Sequence, residues 1–145
     1  VKIDRVGKNI SRKFAHKYYS ELSVGIDFTA RDLQQEYKEK GLPWEKAKAF
    51  DGSAPVGRFI PKEKFQNLDD LNFSLEIDGE IKQQGNTGNM LFSIDAIIEY
   101  VSQFFTLKIG DLIFTGTPEG VGPILINHHF EAYLEEEKVL DLKIK

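Results

Sequence analysis

The segment NFSLEIDGEIKQQ, residues 72–84, constrains the fold more than any other part of the chain. Apolar and polar residues alternate on both sides of Asp78 and Gly79, and this pair supplies the two positive-φ positions of a hairpin turn. Residues 128–145 predict two more short strands with a polar turn near Glu136. The predicted strands outnumber the helices and lack a regular βαβ rhythm. These patterns predict an α+β fold rather than a doubly wound parallel sheet.

Three segments are predicted to be helical because their apolar residues recur every three or four positions. In the second segment, Thr29 and Asp32 have the spacing of a capping box, in which a hydroxyl and a carboxylate satisfy free backbone amides. Gly41 and Pro43 mark the end of that helix. Ser93 is the predicted cap of the third helix. The three segments are residues 11–22, residues 30–40 and Ser93 to about Leu107.

The remaining segments are predicted strands and loops. Residues 1–7 and 22–29 alternate apolar with polar or small residues, as half-buried strands do. Residues 111–125 predict a strand that runs into a glycine-rich turn. Residues 42–61 lose any period and contain several Gly and Pro residues, which predicts a long ordered loop or irregular strands. No repeat or linker interrupts the chain, so we expect a single domain over residues 1–145.

Composition excludes several classes of function. The net charge of −4 comes with no block of basic residues, so we expect no nucleic-acid partner. No apolar run approaches the roughly 20 residues that cross a bilayer, so we expect a soluble protein without a membrane partner. Cysteine is absent, which excludes disulfides and thiolate metal sites and favours a reducing compartment. We therefore expect a cytoplasmic location.

The first candidate site segment is GIDFTARDLQ, residues 25–34. Asp27 lies between Ile26 and Phe28 at the end of a predicted buried strand, where a carboxylate needs a cation, hydrogen-bond donors or a metal. Arg31 and Gln34 are three residues apart and share a helix face. Two interpretations stay open. The segment is either one wall of a site for a charged ligand or an amphipathic helix with a surface arginine, which spacing alone favours.

The second candidate segment is WEKAKAFDGSAPVG, residues 44–57. Lys46 and Lys48 alternate with apolar residues, which predicts that at least one ammonium group lies near apolar surface. Such a lysine can anchor a carboxylate, or act as a base if its pKa is lowered. A lysine that extends along the rim of the core is an equal alternative. The spacing does not choose between Lys46 and Lys48.

The third candidate segment is FTGTPEGVG, residues 114–122, which matches neither nucleotide-binding fingerprint. Its glycines, Gly116 among them, allow the backbone to approach a ligand closely, and Thr115 or Thr117 can donate to an oxyanion. A structural turn explains the glycines equally well. The histidines predict no metal site, because the adjacent His128 and His129 would point to opposite faces of a strand.

Together, these segments, residues 83–122 and the ending LEEEKVLDLKIK resemble the C-terminal catalytic domain of the fumarylacetoacetate hydrolase family, in order across nearly the whole chain. The resemblance implies a mixed β-sheet roll with a few short helices, commonly assembled as a homodimer. It also implies binding of Mg2+ or Mn2+ through three carboxylates. The implied substrates are small β-diketo or 2-oxo acids, and the implied reactions are hydrolysis of acylpyruvate or fumarylacetoacetate, decarboxylation of oxaloacetate and isomerisation of unsaturated hydroxy-diacids.

The same resemblance assigns roles to individual residues. Chelation of a 2-oxo acid by a hard cation would stabilise an enolate as the neighbouring C–C bond breaks, and a lysine would add positive charge beside it. The matches are Asp27 to a metal ligand, Arg31 and Gln34 to polar catalytic residues beside the substrate, Lys48 to the catalytic lysine, and Thr117 with Gly116 to the group that binds the substrate carboxylate.

One part of the family pattern is missing from these residues. The family's other two metal ligands form a Glu-x-Glu pair just upstream, whereas VKIDRV at residues 1–6 contains only Asp4. The family's lid, with its catalytic His and Glu, also lies upstream. We therefore expect an N-terminally truncated domain that alone binds divalent metal weakly or not at all and has little activity. The alternative is a non-catalytic binding or assembly module that retains the fold but lacks a complete metal site.

Overall fold

A computed structural model describes residues 1–145 and contains seven strands and four helices. No helix combines the length and the apolar sequence that a membrane crossing requires. The strands are β1 Lys2–Ile3, β2 Tyr19–Leu22, β3 Ile60–Pro61, β4 Asn72–Ile77, β5 Glu80–Asn86, β6 His129–Leu134 and β7 Glu137–Lys143. The helices are α1 Arg12–Ala15, α2 Arg31–Lys40, α3 Glu45–Lys48 and α4 Ile94–Phe104, with 3-10 turns at Lys62–Lys64 and Thr87–Asn89.

The strands form two antiparallel sheets, with strand orders β1-β2-β3 and β5-β4-β6-β7. The predicted central hairpin is β4–β5, with Asp78 (φ 54°) and Gly79 (φ 79°) in its turn. The second predicted hairpin is β6–β7, which turns at Glu135 and Glu136. Because β4 also pairs with β6, the two hairpins share one sheet. The predicted α+β fold with a few short helices is confirmed.

Helix α4 closes the main hydrophobic core. Ile98 is fully buried on the helical face that meets this core. Ser102, one turn further along, is also fully buried, but its hydroxyl accepts a hydrogen bond from the amide of Ile10 at 2.9 Å, so the polar atom stays satisfied. Ser93 caps the helix as predicted, since its hydroxyl accepts from the amide of Ala96 at 3.3 Å.

A smaller core lies against the four-stranded sheet and fixes the segment that contains Asp27. Ile26 and Phe28 pack against this core, and the rings of Phe28 and Phe130 meet edge to face with 5.8 Å between their centroids. Since neighbouring residues of an extended chain point to opposite sides, Asp27 faces away from the sheet. The buried residues of the smaller core are Leu75, Phe130, Ala132 and Leu140.

Two predictions near the start of the chain are wrong in extent. The helix predicted over residues 11–22 ends at Ala15, and β2 follows it. β2 is the middle strand of its sheet, and burial of Tyr19 and Leu22 in the main core outweighs the helical spacing. The strand predicted over residues 1–7 is limited to β1, and further pairing is an isolated bridge of Gly7.

Residues 22–29 are extended but form no regular strand beyond the end of β2. Their partner is an irregular loop: the amide of Ile26 donates to the carbonyl of Pro55 at 2.9 Å, and the amide of Phe28 donates to that of Ser53 at 2.8 Å. The amide of Gly57 also donates to the carbonyl of Val24 at 3.0 Å, so the three bonds keep one antiparallel register. Pro55 has no amide to donate in return, and the amide of Ser53 donates to Phe50, so no continuous ladder forms. The strand prediction therefore holds for the extended conformation but not for membership of a sheet.

The predicted capping box of α2 is wrong. Ala30 is the N-cap and makes no side-chain cap bond. The Thr29 hydroxyl instead accepts a hydrogen bond from Lys48, so it does not turn to the helix amides. The predicted helix end is confirmed, because Gly41 adopts the left-handed conformation with φ 64°.

Three further boundaries differ from the predictions. The predicted loop over residues 42–61 contains α3 and ends in β3. Helix α4 stops at Phe104, before the predicted Leu107. Residues 111–125 contain no strand, because Leu112 makes only an isolated bridge, to Lys2. The glycine-rich part of that segment is a loop, as predicted.

The contact between Tyr19 and Asp95 links β2 to the first turn of α4. Tyr19 is buried, and its hydroxyl donates to the Asp95 carboxylate at 3.2 Å. Burial, together with the negative charge of Asp95, raises the pKa of Tyr19. The neutral form of Tyr19 is therefore favoured in the folded protein.

The free energy of unfolding is expected to fall as pH rises above about 10, because unfolded Tyr19 ionises there while folded Tyr19 stays protonated. This contribution is complete below about pH 10, and its loss approaches about 1.4 kcal/mol per pH unit above it. Tyr19→Phe should remove that alkaline loss, whereas Tyr100→Phe, at a site 64% exposed, should not. Urea unfolding at several pH values measures it. Equal alkaline slopes in wild type and Tyr19→Phe would contradict the account.

Candidate functional site

A cavity of about 1260 Å³ lies beside the four-stranded sheet. It is lined by residues 22–32, which include most of the first candidate segment, and by residues 112–124, which include the whole of the third. Strands β4 and β5 contribute Leu75 and Gln83 to the same wall. Typical ligand pockets measure roughly 300–1,000 Å³, so this cavity has ample room for a small organic acid.

Asp27 lines this cavity and forms an ion pair with Lys48, which is not one of the lining residues. Lys48 Nζ donates to Asp27 Oδ2 at 2.5 Å and to Thr29 Oγ1 at 2.9 Å. The Thr29 hydroxyl in turn donates to the backbone carbonyl of Asp27 at 3.4 Å. The Asp27 side chain is 41% exposed and that of Lys48 is 32% exposed, so water and a ligand can reach both. Thr29 thus fixes the lysine beside the carboxylate.

Helix α3 explains why Lys48 meets Asp27. Ala47 is fully buried, and its carbonyl accepts a hydrogen bond from the amide of Ala30 at 3.0 Å. This bond ties α3 to the start of α2 and brings the next residue, Lys48, to the Asp27 segment. Lys46 is exposed. The spacing left Lys46 and Lys48 open, and the structure brings only Lys48 to Asp27.

Arg31 and Gln34 meet on the exposed side of α2. Arg31 Nη1 donates to Gln34 Oε1 at 3.0 Å. Arg31 lines the cavity, whereas Gln34 does not and reaches it only through this bond. Gln34 therefore orients the guanidinium, and Arg31 is the member of the pair that a ligand can contact.

The third candidate segment forms a loop on the cavity wall. Gly116 has φ 130° and Gly120 has φ 97°, a region that favours glycine. Thr115, Gly116 and Thr117 all line the cavity. The hydrogen bonds of this loop use backbone carbonyls only, so both threonine hydroxyls are available to a ligand. The structure therefore brings Asp27, Arg31 and Thr117 around one cavity, and Lys48, which does not line it, bonds to two lining residues, Asp27 and Thr29. This arrangement suits an anion that also carries a carbonyl group.

The residues at Asp27 do not by themselves make a divalent-cation site. Mg2+ and Mn2+ prefer several oxygen ligands, and no other Asp, Glu or His of residues 1–145 joins Asp27 in a group of three. One oxygen of the Asp27 carboxylate, Oδ2, is also bonded to the Lys48 ammonium. Any complete site at Asp27 would need ligands beyond these residues, which agrees with the absence of a Glu-x-Glu pair from residues 1–6.

A group of three side chains of the types that ligate metals, which the sequence did not predict, lies elsewhere, on the β6–β7 hairpin. His129, Glu131 and Asp141 place their ligand atoms within 4.8 Å of one another. They meet only through the register in which Glu131 faces Asp141, a pairing that residue spacing does not reveal. Lys138 donates to both carboxylates at 2.8 Å, which lowers the pKa of Asp141, with His129 adding to the effect. The Lys138 ammonium therefore already neutralises part of the negative charge of this cluster.

Comparison with known proteins points to one family. A sequence model described as Fumarylacetoacetate (FAA) hydrolase C-terminal matches residues 1–145. The chain is 45% identical over 145 residues to oxaloacetate tautomerase FAHD1, mitochondrial, of Mus musculus, with 100% of this chain and 66% of that protein covered. It is 43% identical over 122 residues to oxaloacetate decarboxylase, mitochondrial, of Dictyostelium discoideum, with 84% of this chain and 56% of that protein covered.

Solved structures give the same result. The fumarylpyruvate hydrolase of Pseudomonas aeruginosa, in complex with Mn2+ and pyruvate, matches with a TM-score of 0.89 and 35% identity, covering 99% of this chain and 63% of that one. These three relatives are enzymes. The chain spans 56–66% of the length of the three proteins.

The predicted cytoplasmic location is wrong. The relatives from M. musculus and D. discoideum are both named as mitochondrial proteins. An absence of cysteine fits any reducing compartment, and an organelle address lies in a targeting segment rather than in the composition of a folded domain. Composition therefore carried no information on which reducing compartment applies.

The Asp27–Lys48 pair is expected to contribute little to stability. Because both side chains are partly exposed, Asp27→Asn and Lys48→Met should each lower the free energy of unfolding by less than about 1 kcal/mol. The matched control is Lys2→Met, since the Lys2–Glu21 pair has a similar distance, 2.6 Å, and similar exposures of 39% and 31%. Denaturant unfolding of the three variants measures this. A loss above about 3 kcal/mol on Asp27→Asn would show that Asp27 is retained for folding instead.

Proposed function

The chain belongs to the fumarylacetoacetate hydrolase family, and we propose that its full-length protein is a Mg2+- or Mn2+-dependent hydrolase or decarboxylase of β-diketo or 2-oxo acids. The observation that carries the proposal is the cavity that Asp27 and the Thr117 loop line together, with Lys48 paired to Asp27 beside it. The substrate would be of the acylpyruvate, fumarylacetoacetate or oxaloacetate type.

The names of the relatives support one class of substrate. Oxaloacetate, in the names of the M. musculus and D. discoideum proteins, and pyruvate, bound to the P. aeruginosa hydrolase, both carry a 2-oxo group beside a carboxylate. Decarboxylation of oxaloacetate and hydrolysis of an acylpyruvate both break the bond between C3 and C4 and leave the enolate of pyruvate. A site that fixes the pyruvate half therefore serves either reaction, and the other half of the substrate selects between them.

The residues of this chain can perform the binding and charge stabilisation that such a reaction needs. Thr117, with the open backbone at Gly116, can donate to the substrate carboxylate. Lys48 can place its ammonium beside the oxygen on which negative charge develops as the C–C bond breaks. Arg31, oriented by Gln34, can pair with a second acidic or carbonyl group of the substrate.

Asp27 is the residue of this chain that would hold a divalent cation. Such a cation, when bound, would act as a Lewis acid on the 2-oxo group. Lys48 bonds only Oδ2 of Asp27 in the structure, so Oδ1 would be the oxygen offered to the ion. We therefore propose that residues 1–145 alone bind the ion weakly or not at all, and that the full-length protein completes the site.

We also propose a homodimer, as the family resemblance implies. Helix α4 and the residue after it leave Tyr100, Phe104 and Phe105 exposed by 64%, 61% and 66%. The chain exposes 9491 Å², against about 7,500 Å² for a compact monomer of its 16.5 kDa mass, an excess that further residues of the full-length protein would share with a second copy. This apolar face supports burial against a second copy. Light scattering of the full-length protein should give twice the mass of one chain, and a monomer mass would contradict the dimer.

The test of the function uses the full-length protein in a Mn2+ titration by calorimetry and in turnover of oxaloacetate and an acylpyruvate. Asp27→Asn should weaken Mn2+ binding at least about 100-fold and abolish turnover with it. Lys48→Met should lower kcat by about 100-fold or more. Thr117→Val should raise KM by about tenfold, the loss of one hydrogen bond to a charged group. Lys2→Met is the control and should change none of these values.

The alternative is a non-catalytic binding or assembly module, which the single carboxylate beside Lys48 favours. The same experiment separates the two. A wild-type full-length protein that binds no Mn2+ and turns over neither substrate would overturn the enzyme proposal in favour of the module. Turnover that persists in Asp27→Asn would instead show that the reaction takes place outside this cavity.

A further inference from the structure

We propose that Gln83 on β5 is a positioning residue. It anchors residues 114–124, which we call the 114–124 loop, and thereby holds Thr117 where a substrate carboxylate binds. This inference rests on the proposed function for its substrate and on the structure for its geometry. Gln83 itself does not need to touch the substrate.

The 114–124 loop has almost no polar connection to the rest of the chain. None of its residues takes part in a backbone–backbone hydrogen bond, and it contains no helix or strand. Its flanks are fixed, since the amide of Ile113 donates to Val1 at 2.9 Å and the carbonyl of Leu125 accepts from His128 at 3.2 Å. Between these flanks the backbone depends on contacts made by side chains.

Gln83 supplies the hydrogen bonds that the loop does make. Its Nε2 donates to the carbonyl of Pro118 at 3.0 Å and to that of Glu119 at 3.3 Å. These two carbonyls directly follow Thr117 in the chain. Because one amide group holds two successive peptide units, it limits both the distance of the loop from β5 and its rotation. The orientation of Thr117 is therefore tied to a residue on the hairpin.

A backbone contact beside Gln83 depends on the same approach. A Cβ atom at Gly120 would lie 2.2 Å from the carbonyl oxygen of Lys82, so only glycine lets the loop pack on β5 there. The other side of the loop meets the Asp27 segment, where a Cβ at Gly25 would lie 2.8 Å from the Phe114 ring. The loop is thus held between the hairpin and the Asp27 segment, and Gln83 is its hydrogen-bonding anchor.

Loss of the Gln83 anchor should affect substrate binding and not the chemical step. A loop already held in its binding conformation does not have to be ordered when the substrate arrives, so affinity rises without a change in the chemical step. Loss of Gln83 should therefore raise KM and leave kcat nearly unchanged. With two neutral hydrogen bonds at stake, the expected rise in KM is about tenfold.

The variants are Gln83→Leu, which removes the donor, and Gln83→Glu, which keeps the size but cannot donate to a carbonyl. The same changes at Gln103, an exposed glutamine outside the cavity, are the matched controls. Gly120→Ala tests the backbone contact. Gly110→Ala is its control, because Gly110 has a similar φ of 93° but nothing within 4 Å of an added Cβ.

Two measurements on the full-length protein decide the matter: steady-state kinetics with oxaloacetate, and amide order parameters of the 114–124 loop by NMR relaxation. Gln83→Leu, Gln83→Glu and Gly120→Ala are expected to raise KM about tenfold, keep kcat within about twofold, and lower the loop order parameters from about 0.85 to below about 0.6. The Gln103 variants and Gly110→Ala are expected to match wild type.

Unchanged order parameters in Gln83→Leu would overturn the proposal, and so would a fall in kcat with KM unchanged. The order parameters also separate this proposal from the proposed function. If the wild-type protein does not turn over oxaloacetate, the function fails, but a loop that loosens in Gln83→Leu and not in Gln103→Leu still supports the anchor. A loop that stays rigid in both rejects it.

Discussion

The packing of Ile26 and Phe28 against the four-stranded sheet is the constraint on which the site depends. These two side chains belong to the smaller core, and Phe130 fixes the second of them edge to face. Because neighbouring side chains of an extended chain point to opposite sides, Asp27 points away from the sheet and toward the cavity. Its carboxylate stays partly exposed there and therefore loses little hydration. The Lys48 ammonium meets it there because α3 is tied by its backbone to the start of α2. Packing of the smaller core thus determines where Asp27 and Lys48 lie.

The two walls of the cavity are built by different means. The Asp27 segment is held by apolar packing and by backbone hydrogen bonds to residues 53–57, and it resists movement. The 114–124 loop is held by glycine contacts and a single glutamine, and its threonines keep their hydroxyls free. Both walls are therefore fixed before a ligand arrives, the first by packing and the second by its contacts with β5.

The parts of the fold that were predictable from sequence are those fixed by local interactions. The β4–β5 hairpin follows from Asp78-Gly79, and the start of α4 follows from Ser93. β2 was missed because its strand conformation depends on pairing with both neighbours. Lys48 could not be told from Lys46, and Gln83 gave no signal, because α3 and the loop contact are set by distant residues. The family resemblance selected the candidate segments, and the structure supplied their mutual geometry.

A crystal structure of the full-length protein with Mn2+ and pyruvate tests the role of the cavity most directly. Pyruvate should lie in the cavity with oxygen atoms within about 3 Å of Lys48 Nζ and Thr117 Oγ1, and the ion should bind the Asp27 carboxylate. Pyruvate bound at another surface, with Lys48 still closed on Asp27 and Thr117 without a ligand contact, would contradict it.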